Sequence, residues 1–333
     1  MNDITSIMSK SLCRVICDDA THIRKSIKIC KKDNWICCWK CGNNIVYVNY
    51  AYMCNICHQH YCISHFIAHK EPVLHIHKSS NITIYDIKSL GNEIIKFDRT
   101  FSPWSDTISY EGSIYVFNGS NAYGVYRFAL LKKKLISLDA RNSERDCSGL
   151  CSTRGAIYCI GGNHEGNSLN VCEKYNILAK KWETLPNLNQ ERCYNAAFHF
   201  QHKWIYTVNG HYKVEKLESI ERLDIKSNKR WVIIGPVVNE LGASKCMNGI
   251  QIGKSQVLLF GSNSSEDKSY LMRINSSNIT IQPHAVMPAV RRFCWSTVPF
   301  VYGSKVYSVD EDKIIFEYDI NTEHWRILVN KIE

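Results

Sequence analysis

Nine of the sixteen cysteines fall within the first 62 residues, and six of the thirteen histidines lie between residues 58 and 77. The spacing in this stretch is paired. Two residues separate Cys38 from Cys41, Cys54 from Cys57, and Cys62 from His65; His69, His75 and His77 follow. Two intervening residues let a tight turn aim both side chains at one tetrahedral ion, and zinc accepts thiolate and imidazole together. The expected chemistry is structural metal binding, with four ligand pairs holding two zinc ions. A module of about 40 residues buries too little apolar surface to fold alone, so the metal supplies its stability. Dense cysteine also builds disulfide frameworks, but in exported chains. The first twenty residues hold no apolar run, so no secretory signal is expected. His58 and His60, inside the turn after Cys57, are expected to be solvated.

This order of pairs resembles the B-box zinc finger, whose pattern is C-x2-[CH], C-x2-[CD], C-x2-[CH] and then two histidines. The resemblance implies a cross-brace in which the first and third pairs share one ion and the second and fourth the other. Carried over, Cys38, Cys41, Cys62 and His65 hold one zinc. Cys54, Cys57, His69 and a later histidine hold the second. His77 is taken for that last place, because His-Lys-x3-Ile at 77–82 reads as the end of the module, with His75 as the alternative. The first two pairs are twelve residues apart, Gly42 to Met53, which is longer than is common in the family. B-box surfaces mediate self-association or bind a partner, and the same is expected here. Residues 1–37 carry Cys13, Cys17, His22, Cys30 and Cys37 without any C-x2-C pair. A RING domain needs such pairs, so this segment reads as a helical or irregular lead-in.

The elements that follow repeat. A hydrophobic strand ending in small residues recurs as SIYVFNG to Gly119, AIYCIGG to Gly162, WIYTVNG to Gly210, VLLFGS to Ser262 and KVYSVD to Asp310, at intervals of 43, 48, 52 and 48 residues. Tyr175 precedes Trp182 by seven residues and Tyr318 precedes Trp325 by seven; Phe128 and Leu135 hold the same two places, and Leu223 and Trp231 are eight apart. Four strands at this period make one blade of a β-propeller. The motif resembles the kelch repeat: a strand into Gly-Gly, then Tyr-x6-Trp, then an Arg before the next blade. Residues 155–193 match it closely, including Leu185, Pro186 and Arg192. The diglycine allows a sharp turn near a crowded axis, and the Trp packs between adjacent sheets. Elsewhere Asn stands for the first Gly at 118 and 209, Ser for the second at 262, and Asp310 and Glu311 for both in the last unit. The strands ITIYDI (82–87) and EIIKF (93–97) add part of a sixth unit or close the ring, and six blades are favoured over five. The fold class expected is mainly β: a lead-in at 1–37, a zinc-bound B-box module at 38–80, and a five- or six-bladed kelch-type propeller at 81–333.

The chain has 333 residues, 45% hydrophobic and 22% charged, which suits packed domains and excludes wholesale disorder. No apolar run approaches the ~20 residues that span a bilayer, so no membrane partner is expected and the location expected is cytoplasmic. The net charge of +10 is spread over short runs, Lys31–Lys32 and Lys132–Lys134 being the densest, so no specific nucleic-acid partner is expected. In a four-stranded antiparallel blade, the loop after strand two and the link to the next blade share one face. Polar loops on a rigid ring suit protein recognition, and His164, Glu165, Arg192, Tyr212 and Arg292 are the candidate contacts. The function expected is a scaffold or adaptor that docks protein partners, with the substrate-recognition part of a ubiquitin ligase as the alternative. Some kelch propellers are enzymes, but no metal-ligand set or carboxylate pair recurs by blade position, so no catalysis is expected.

Overall fold

The computed structural model describes, within the first 73 residues, the strands Ile36–Cys37, Asn44–Ile45, Tyr52–Met53 and His60–Tyr61. From residue 74 onward it describes all but 79, 86, 88–90, 103, 111, 120–123, 131, 154, 235–237, 240–247, 262–267, 276–277, 289–297, 311–313 and 330–333. The chain divides into two compact units, Met1–Pro72 and Val73–Glu333. In the first, Ile36–Cys37 pairs antiparallel with Asn44–Ile45, and Tyr52–Met53 with His60–Tyr61. The expected zinc ligands Cys38, Cys41, Cys54, Cys57, Cys62, His65 and His69 lie outside the described residues.

The second unit is a kelch-type propeller of five blades. Blade one orders its strands Asp106–Tyr110, Ser113–Phe117, Val125–Ala129 and Lys134–Leu138 from the inside out. Blade two runs Gly149–Thr153, Ala156–Ile160, Cys172–Asn176 and Lys181–Leu185; blade three runs Ala196–Phe200, Trp204–Val208, Ile220–Asp224 and Trp231–Ile234. Blade four comprises Asn248–Gln251, Gln256–Phe260, Lys268–Ile274 and Ile279–Val286, and Val238–Asn239 adds a fifth strand parallel to its outer edge. Blade five comprises Phe300–Tyr302, Lys305–Val309, Ile315–Asp319 and His324–Val329. Second strands are covered on both faces and so read as apolar runs: SIYVF and AIYCI are buried at every position.

Against the six blades favoured from the sequence, the propeller has five, plus a three-stranded sheet, Leu74–Lys78, Asn81–Tyr85 and Asn92–Lys96. Ile82 of this sheet packs with Phe101, Ile114 and Phe128 of blade one. Tyr85 packs with Val309 and Ile315 of blade five. Four further clusters join successive blades, so each of the six sheet-to-sheet interfaces has its own apolar core. Burying a side chain such as Phe117 or Phe260 contributes roughly 1.5–3 kcal/mol. Leu74–Lys78, expected in the zinc module ending at 80, instead pairs along Asn81–Tyr85. His75, the alternative zinc ligand, is buried there with Nε2 2.9 Å from Thr107 Oγ1 on the inner strand of blade one. That hydrogen bond occupies Nε2. His77 lies in the same strand, and its side chain is outside the described residues.

The repeat's aromatic pairs face each other across strands three and four: Tyr175 opposite Trp182, Tyr318 opposite Trp325, Phe128 opposite Leu135 and Leu223 opposite Trp231. The Trp182 ring lies 5.8 Å from Phe117 of blade one and 5.3 Å from Tyr175. Its Nε1 donates to Asp139 O at 2.8 Å, and Trp231 Nε1 donates to Pro186 O at 2.9 Å. Each indole therefore fills an interface and ties its N–H to the preceding blade.

Candidate interaction surface

The links into blades two and three follow one design. Arg145 and Arg192 precede the inner strand of each blade, and both are completely buried. Arg145 Nη2 lies 2.6 Å from Glu173 Oε2, and Nη1 donates to Val171 O. Arg192 Nη2 lies 2.8 Å from Glu221 Oε1, and its Nη1 donates to Asn209 O and Ser219 O. Two residues after each arginine, Cys147 and Tyr194 adopt left-handed backbone, φ 52° in both. Bridges Asp146–Asn163 and Cys193–His211 then tie each link to the loop after strand two of a blade. Arg192 was expected to contact partners; it is a structural clamp instead. Burying a guanidinium demands a paired carboxylate and hydrogen-bond acceptors; Glu221 and the loop carbonyls supply these to both Nη atoms, while Nε is buried without an acceptor among the described residues.

Gly161 and Gly162 stand where this clamp closes. Gly161 has φ +62°, and a Cβ there would come within 2.4 Å of Arg192 O. At the same place in blade three, Asn209 takes φ 56°, which Asn tolerates better than most residues.

On the same face two hairpins rise from these loops. Asn163–His164 pairs with Asn167–Ser168 through a turn at Glu165 and Gly166, both at positive φ, the signature of a type I′ turn. His211–Tyr212 pairs with Glu215–Lys216 through Lys213 and Val214. Ser168 Oγ joins the two, donating to His211 O at 3.1 Å and accepting from Lys213 N at 3.3 Å. Glu165 is exposed at the first tip. His164 is half-buried, and its Nδ1 has no hydrogen-bond partner. Tyr212 is half-buried with the Lys213 ammonium 5.2 Å from its ring centroid. Arg292 lies outside the described residues. The structure thus brings together three of the five expected contacts, His164, Glu165 and Tyr212.

Three apolar side chains on this face were missed. Val214 is 92% exposed at the tip of the second hairpin, Val286 is 72% exposed at the end of blade four, and Trp104 is 45% exposed in the link into blade one. A valine isolated in the polar run HYKVEK was the available signal for the first.

Below the link between blades one and two, Asp106 is fully buried and accepts from both the amide and the hydroxyl of Ser148. Burial pushes its carboxyl up to about 6, against the opposing pull of Arg141 and Ser148. Cys147, Cys151, Cys159, Cys172 and Cys193 are buried free thiols. Burial raises each of them, which keeps them protonated and unreactive. Among the described residues, no group of three or more His, Cys, Asp and Glu is placed to hold a metal ion.

Comparison with known proteins agrees with this architecture. Residues 144–189 match the Kelch motif, a span that begins just before Arg145 and ends after Leu188. The chain is similar to the Kelch repeat protein C2 of cowpox virus (strain GRI-90 / Grishak), at 30% identity over 121 residues, 36% of this chain and 23% of that protein. It is similar to the C2 protein of vaccinia virus (strain Western Reserve) to the same extent. The chain therefore matches about a quarter of the length of these curated relatives. In fold it is similar to the solved structure of YjhT, with TM-score 0.54, 12% identity, and coverage of 70% of this chain and 86% of that one.

Proposed function

We propose that this chain is a non-catalytic docking protein that holds protein partners on the link face of its propeller. The observation that carries the proposal is the placement of exposed apolar side chains. Among the described residues, Val214, Val286 and Trp104 stand on the face that carries the links and the paired hairpins, Leu178 stands on the turn face, and the other exposed large apolar side chains, Ile94, Val232, Ile233 and Ile327, lie along outer strands between the two faces. Apolar tips set among polar groups on a rigid frame are the pattern of a recognition surface. The kelch-type fold, typical of protein–protein interaction, points the same way. The test is a photo-crosslinking amino acid placed at 214 and, separately, at 178 of the full chain. Adducts with defined partners at 214, lost in a Tyr212→Ala background, are expected. Equal adducts at both positions would sink the assignment of the face. Ubiquitin-transfer machinery among the adducts would move the reading to the ligase alternative.

The proposal extends to the zinc-stabilised module whose ligands run in sequence from Cys38 to His77, holding two ions and serving self-association. Its support is the spacing of the ligands and their placement in sequence. The Cys38/Cys41 and Cys54/Cys57 pairs each fall between two strands that pair with each other, the setting in which a turn presents two thiolates to one ion.

A further inference from the structure

The propeller gathers basic residues that lie far apart in sequence onto one rim. Strands three and four of each blade are joined on the face opposite the links. In blade one Lys133 and Lys134 come immediately before Leu135, the residue opposite Phe128. In blade two Lys180 and Lys181 come immediately before Trp182, opposite Tyr175. In blade three Lys229 and Arg230 come immediately before Trp231, opposite Leu223. The same register position of three consecutive blades thus carries a dibasic pair, and all six side chains are exposed. Lys132 and Lys226 add to the same turns. Lys133 pairs with Glu93; the other five of the six form no ion pair with a carboxylate among the described residues. The Asp224 carboxylate in the third turn is occupied by the amides of Lys226 and Ser227. The strip ends at blade three: the corresponding turn of blade four, Asn275 to Asn278, has no basic residue, and in blade five Glu323 and His324 precede Trp325.

We propose that this strip docks an extended acidic segment of a partner protein. A row of unpaired cations at blade intervals complements a chain with carboxylates along its length, and such a field steers association and sets register. Five of the six are lysines, compact charges without the planar fork that clamps phosphates bidentately. Single-stranded nucleic acid is held by stacking its bases on open aromatic faces. The nearby aromatic rings are engaged: Trp204 has the Lys203 ammonium 4.6 Å and the Arg222 guanidinium 4.2 Å from its ring centroid, and Trp182 and Trp231 fill blade interfaces. A membrane surface would favour several exposed apolar side chains beside the lysines, and the described residues of this face offer Leu178, 41% exposed, in the middle turn. One apolar side chain among cations suits a single contact within an acidic segment.

The test uses the full chain and fluorescein-labelled poly-L-glutamate, followed by anisotropy. Binding that weakens with added salt is expected. Lys134→Glu, Lys181→Glu and Arg230→Glu together should weaken it by at least about tenfold, and the corresponding Gln triple should fall between. An unchanged melting temperature shows that these exposed changes leave the fold intact. Val214→Asp should leave poly-glutamate binding unchanged, so failure of this strip and failure of the link-face reading are distinguishable. The proposal is overturned if the wild type does not bind poly-glutamate or if the Glu triple binds as well as the wild type. It is equally overturned if poly-uridylate, or vesicles of phosphatidylserine and phosphatidylcholine, bind as tightly as poly-glutamate at the same ionic strength.

Discussion

Arg192 and Glu221 meet at 2.8 Å with neither side chain reaching solvent, the arginine entering from the link between blades two and three and the glutamate from the third strand of blade three. The pair reaches beyond its own blade, because Arg192 N donates to Leu169 O and Gly162 N donates to Arg192 O, both in blade two. Glu221 also accepts from the amides of Asn189 and Gln190. One guanidinium thus fixes the seam between two blades.

Removing one partner leaves the other charge buried without compensation. Arg192→Ala should cost about 3–5 kcal/mol of stability. Replacing both partners, as Arg192→Met with Glu221→Leu, should recover a large part of that loss. Urea unfolding of the two variants checks this; a double variant no better than the single would show that hydrogen bonding of the link, and not the unpaired charge, sets the cost.

Gly161 and Gly166 separate backbone strain from collision. Both have positive φ, but a Cβ at 161 meets the Arg192 carbonyl at 2.4 Å, and one at 166 meets nothing within 4 Å. Gly166→Ala should therefore cost only the conformational penalty, about 1–2 kcal/mol. Gly161→Ala should cost well beyond that, because the clamp itself must move. Equal midpoint shifts in denaturant would contradict the close approach.

Asp106 makes stability depend on pH. Its carboxyl is raised in the folded state, from 3.8 to about 6, by burial. A raised carboxyl favours the folded, protonated form, so its contribution is present below about pH 4 and is lost as pH rises through 6. His199 acts in the opposite sense: burial lowers it to about 4, so its contribution is present above about pH 6.5 and lost as pH falls through 4. The Asp106 effect is therefore best read as a difference. Asp106→Asn should gain stability relative to wild type as pH rises from 4 to 7, by up to about 3 kcal/mol. A pH-independent difference would mean the carboxylate is better solvated than its burial implies.

The zinc module is checked by elemental analysis. Full-length protein purified without chelator should carry two zinc ions, and Cys57→Ser should lower that content. One ion or none in the wild type would remove the cross-brace from the reading.

The propeller was largely legible because its signals are local. The seven-residue spacing of Tyr175 and Trp182 reports a strand–turn–strand, and the diglycine at 161–162 reports a left-handed turn. The closing sheet was only half legible, since among the described residues no fourth strand follows Asn92–Lys96; instead Phe97 and Phe101 fill the space against Phe128. Arg192 was misread because an arginine in a polar link has the composition of surface. Its burial depends on Glu221, 29 residues further on, and on carbonyls that only the folded loops assemble. His75 was drawn into the zinc set by its neighbours in sequence, although its partner Thr107 lies 32 residues away. The basic strip escaped notice because its pairs sit about 48 residues apart and converge only through the blade repeat.

The three-stranded sheet also sets the order in which the ring can be completed. Its strands leave the ribosome before any blade, yet Tyr85 finds Val309 and Ile315 only when the last blade has been made. Contacts this distant in sequence are slow to form, since the intervening chain must first lose its freedom. Until then the Tyr85 side of the sheet faces water. The nascent chain therefore carries an open seam throughout synthesis. Truncation within blade five should leave that seam open for good, producing a protein with four or more intact blade interfaces that is nonetheless prone to aggregate.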